Sequence, residues 1–118
     1  MFAGAAAQGH SLAADTYGLL LFARGEKSRA LPYLRAAADR GDARAQYVLG
    51  LSHFNADLVE RDWPRAFALL ELSRRQGLAQ ADKALQQIDR YISADQRVQG
   101  LAMADANAAT PLHRSVGN

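Results

Sequence analysis

Cysteine is absent from the 118 residues, which removes disulfides and thiolate metal sites from consideration. Aromatic residues make up only 8% of the chain while alanine is abundant, a balance that favours helices packed through small side chains over a sheet of branched ones. No apolar run approaches the roughly 18 residues that a bilayer span needs, so membrane insertion is not expected. The opening MFAGAAAQGH has no basic start and is too short for a secretory signal, which points to a cytoplasmic chain, or a periplasmic one if it is a mature or truncated product. Clustered positive charge is missing too. The formal charge is +2 and the pI about 9.3, carried mostly by arginines interspersed with acids, which reads as a solvated surface and excludes a nucleic-acid footprint.

What is present is a repeat. The segment GDARAQYVLGLSHFNADLVERDWPRAFALLELSRRQG runs between Gly41 and Gly77, 36 positions apart, and a related stretch ends at Gly41, 32 positions after Gly9. Internal repetition at this length marks a helical solenoid whose unit is one helical hairpin. In the fuller unit Ala43, Ala45, Leu49, Gly50 and His53 fall at helical spacing, predicting a first helix over 42–55 with Gly50 admitting a neighbouring backbone. Asp62 is placed as an N-cap with Pro64 in the first turn of a second helix that runs to about Gln76, and Gly77 ends it in the left-handed conformation. Ala66, Leu69, Leu70 and Ser73 line the inner face of that second helix.

The earlier unit repeats the plan with Ala13, Tyr17, Gly18 and Leu21, then Ala30, Tyr33, Leu34, Ala37 and Ala38. Its Pro32 predicts a kink or a later helix start. Upstream, AAAQGH reads as the end of another second helix. Downstream, 78–92 is an amphipathic helix, and Ser93 caps a last helix to about Asp105 whose Asp95, Gln96, Arg97 and Gln99 suit the polar end of a stack. The expected organisation is all-α: a short solenoid of about six helices within residues 1–106. Its units fall at about 10–41 and 42–77, capping helices at 78–105, and a loose tail at 107–118.

These residues resemble the Sel-one-like repeat, a relative of the tetratricopeptide repeat with a unit of about 36 residues. The fuller unit supplies Ala43, Ala45, Leu49, Gly50, Val59, Asp62, Arg65, Ala66 and Gly77 of that pattern; the earlier one supplies Arg29, Ala30, Tyr33, Ala37, Ala38 and Gly41. Departures are His53 for a tyrosine, Ala56 and Leu58 for two loop glycines, Leu69 for an aromatic, and Ser73 and Arg74 for an alanine pair. The resemblance covers roughly residues 5–92. It implies a right-handed superhelix with a concave face used to assemble protein complexes.

On such an array the first helices line the groove, and helical spacing selects Arg44, Tyr47, Leu51, Phe54 and Asn55 from the central unit. Asp15, Leu19 and Phe22 join them on one side and Lys83, Gln87, Arg90 and Tyr91 on the other. Aromatics flanked by arginine suit a docked peptide or helix, so a protein partner is expected, within a multi-subunit complex or as a simple pair. Phe22, Tyr47 and Phe54 equally suit packing between repeats. No cofactor or metal is expected, since His10, His53 and His113 have no mutual spacing. Ser52 and His53 point about 100 degrees apart on a helix, which excludes them as a nucleophile pair. Asp57, Glu60 and Asp62 lack the alternation of a calcium loop. Trp63 is either exposed or a staple between loop and helix. The expectation is therefore an adaptor that binds a peptide or helix, with an accessory or oligomerisation module as the alternative and a hydrolytic enzyme the least favoured.

Overall fold

Two aspartates set where the central hairpin begins each of its helices. The carboxylate of Asp42 accepts from the N–H groups of Arg44 at 2.9 Å and Ala45 at 3.1 Å, and that of Asp62 accepts from the N–H of Arg65 at 3.1 Å. Each such cap satisfies amide donors a helix start leaves open, for about 1 kcal/mol. The computed structural model describes the backbone of residues 2–116 and the side chains of residues 12–107. Over that range it is all-helical: α1 (Phe2–Ala23), α2 (Lys27–Asp39), α3 (Ala43–Asn55), α4 (Trp63–Arg75), α5 (Ala79–Ile88) and α6 (Ala94–Val116). Gly41 and Gly77, with φ of +96° and +94°, end α2 and α4 in the left-handed region that a side chain resists.

α1 pairs with α2 and α3 with α4, and α3 also packs on α2, as a stack of hairpins requires. The close approaches fall at the two repeat glycines. A Cβ on Gly18 would lie 2.6 Å from Tyr33 Cβ, and one on Gly50 would lie 2.8 Å from Leu70 Cγ and 3.3 Å from the Ala66 carbonyl. Two buried clusters result. One joins Leu21, Leu34, Ala37, Ala38, Ala45 and Leu49 across α1, α2 and α3; the other joins Ala66, Phe67, Leu70, Ala81, Leu85 and Ile88 across α4 and α5.

Several boundaries differ from the sequence reading. The helix end expected at AAAQGH is part of a single α1 that passes through Gly9, because an interior glycine costs a helix only about 1 kcal/mol. α2 starts at Lys27, well ahead of Pro32, so the later start does not occur. α5 stops at Ile88 and a turn carries the chain to Ser93, so Ile92 reaches the core from outside the helix. The Ser93 cap is a reciprocal box: Ser93 Oγ accepts from the N–H of Gln96 at 3.1 Å while Gln96 Oε1 accepts from the N–H of Ser93 at 2.8 Å. α6 extends past Asp105 to Val116, through most of the segment read as a tail; the side chains of 108–118 lie outside the described residues. α6 packs on α4 and not on α5, so the two capping helices do not pair with each other.

The α3–α4 loop keeps a glycine's geometry without glycine. Ala56 and Leu58 have φ of 57° and 74°, at the two positions where the repeat pattern asks for glycine. The conformation is held from outside by His53 Nδ1–H donating to the Glu60 carbonyl at 3.0 Å, by the Asp62 N–H on the His53 carbonyl at 3.1 Å and by Lys27 on Asp57 at 2.9 Å. Left-handed backbone costs an alanine roughly 1 kcal/mol relative to glycine. Ala56→Gly is expected to raise stability by about 1 kcal/mol, read as a higher urea midpoint at unchanged slope; a lower midpoint would show that the loop is not strained.

Candidate functional site

The residues selected for the groove separate into three places. Tyr47, Leu51 and Phe54 lie half-buried along one face of α3 against the α4–α5 cluster, which makes them chiefly packing between units. Phe22 and Leu19 pack on the other cluster, with Lys27 Nζ 5.2 Å above the Phe22 ring, and do not join them. Asp15 is a correction: it is 5% exposed and bound by the Arg40 guanidinium at the end of α2, so it faces its paired helix and not a groove. Arg44 is exposed at the N-terminal end of α3, held to Asp42 at 3.3 Å. Asn55, Lys83 and Gln87 are exposed. Arg90 and Tyr91, read as helical positions, stand exposed on the turn after α5.

One end of α3 gathers the aromatics. The Phe54 ring lies 6.0 Å from Trp63 and 5.7 Å from Tyr91, and Arg61 stands 5.9 Å over the Trp63 ring. Trp63 is half-buried and its indole N–H donates to the Phe54 carbonyl at 3.4 Å, so it staples loop to helix. Tyr91 is 61% exposed. The result is an aromatic platform with a tyrosine at its edge and Arg61 over its tryptophan; exposed Arg90 precedes the tyrosine in the chain.

Sequence reasoning missed a second concavity. A cavity of about 370 Å³ lies between the end of α2, α4 and α6, with Leu69, Leu72 and Met103 as its apolar lining and Gln46, Arg65 and Arg75 as polar lining. Gln46 is 3% exposed and fully engaged, its Nε2 donating to the Ala38 carbonyl at 3.3 Å and its Oε1 accepting from Gln76 at 2.8 Å. The only sequence signal was the small pair Gly100 and Ala104, one turn apart, which lets α6 come down on α4.

Beside this cavity Glu71 organises the charges. It accepts from Arg74 at 2.7 Å and 2.9 Å and from Arg75 at 2.8 Å, and Arg75 continues to Asp105 of α6 at 2.8 Å. These arginines thus have specific partners on α4 and α6. The hydrogen bonds from Arg74, with Arg75 adding to them, hold the Glu71 carboxyl below its ordinary pKa against the opposing effect of burial. A depressed carboxylate contributes stability that is whole above the ordinary glutamate value of about 4.3 and is lost as pH falls through the folded value. Glu71→Gln is therefore expected to cost about 1–2 kcal/mol at neutral pH, with the gap to wild type narrowing below about pH 4. Urea titrations of both proteins at neutral and acid pH check it, and a pH-independent gap would remove the charge from the account.

The chemistry available elsewhere is limited. Ser52 Oγ donates to the Val48 carbonyl at 3.0 Å while His53 turns to Glu60, so the two do not face each other. Among the described residues no three His, Asp or Glu side chains gather around a common point, and no helix is long and apolar enough to cross a membrane. The side chains of His10 and His113 lie outside the described residues. No protein-family model matches the chain, and no curated protein matches it.

Proposed function

We propose that the chain is an interaction scaffold of the Sel-one-like type, and that its contact point is the aromatic platform at the end of α3. The observation that carries this reading is Tyr91, 61% exposed yet in ring contact with Phe54. An aromatic held rigidly at the surface gives contact area at little entropic cost, which is the property of interface anchors. Arg90 and Lys83 are exposed and form no ion pair among the described residues. They favour a partner segment that carries acidic residues beside an apolar anchor. The ligand is a short peptide or a single helix, since so small an array presents one groove.

The half-buried positions make poor tests, because Phe54→Ala and Tyr47→Ala also remove packing. Tyr91→Ala and a Lys83→Glu/Arg90→Glu double variant leave the core intact. In selections from a displayed library of acidic helical peptides, binders to the wild type should lose affinity by at least tenfold with Tyr91→Ala, about 1.4 kcal/mol. The charge-reversed variant should lose binding mainly at low salt. Trp63, the one tryptophan, reports occupancy through its emission. Binders unaffected by both variants would place the contact elsewhere.

A further inference from the structure

We draw no further inference here: the strongest candidate, the cavity between the end of α2, α4 and α6, has arginines already paired with Asp62, Glu71 and Asp105, and nothing in the structure shows what fills it.

Discussion

Replacing Leu70 with alanine is expected to remove about 3 kcal/mol of stability and to lower the melting temperature by on the order of 10 °C. Leu70 is 0% exposed and is the residue on which the two halves of the central hairpin and the following helix converge. Its Cγ fills the space that Gly50 leaves on α3, and its cluster continues through Ala81, Leu85 and Ile88 of α5. Truncation therefore opens a void that neither helix can close without moving the other, and the cavity term adds to the lost transfer energy. In a domain of this size the total stability is only 5–15 kcal/mol, so the loss is a large share of it. Leu69, one position earlier and half-buried at the cavity wall, provides the control: Leu69→Ala should cost about 1 kcal/mol or less. Urea unfolding of both variants decides the matter, and similar costs at the two positions would mean that the hairpin is not packed through Leu70.

That contrast between neighbours was readable in the sequence only in part. Leu69 and Leu70 both fit the inner stripe of a helix, and periodicity alone does not separate them. What was legible is what the backbone enforces locally. Asp62 caps because its carboxylate reaches an amide three residues on, and Gly41 and Gly77 end helices because a positive φ is costly for other residues; Asp42, read as the first helical residue, caps in the same way as Asp62. The two close approaches at Gly18 and Gly50 were legible because a repeat requires them at matching places. The loop was harder. Ala56 and Leu58 hide a glycine conformation, since the hydrogen bonds that hold it come from His53, Glu60 and Lys27 and leave no trace in local composition.

The same division applies to the candidate site. Phe54 and Tyr91 stand out as aromatics near arginines, and the structure does bring them into contact. Asp15 looks like any exposed acid at helical spacing; its partner Arg40 is 25 positions away on another helix. Arg90 and Tyr91 kept the helical period in sequence while the chain had already left the helix, because Ile92 is buried from a turn as well as it would be from a helix. The cavity beside Leu72 could not be read at all without knowing that α6 crosses α4.

That crossing yields the second large effect, and its sign makes it decisive. In an isolated or solvated helix, Gly100→Ala stabilises by about 1 kcal/mol, since alanine is the better helix former. Here a Cβ at position 100 would meet Phe67 Cδ1 at 2.9 Å, Phe67 Cβ at 3.0 Å and the Pro64 carbonyl oxygen at 2.9 Å. Phe67 has some freedom to turn its ring, but Pro64 sits in the first turn of α4 beside the Asp62 cap, and its carbonyl cannot retreat without unseating that helix start. The cheaper response is for α6 to lift, which exposes Ala104, now 0% exposed, and strains the Arg75–Asp105 link. Overpacking of this kind costs about 1–3 kcal/mol, so Gly100→Ala is expected to destabilise on balance and the larger Gly100→Val to cost about 2–3 kcal/mol. Hydrogen exchange should locate the loss in α6 and the start of α4, while the amides of α1 and α2 remain protected as before. A Gly100→Ala protein more stable than wild type would mean that α6 does not rest on α4, and the cavity between them would have to be given up with it.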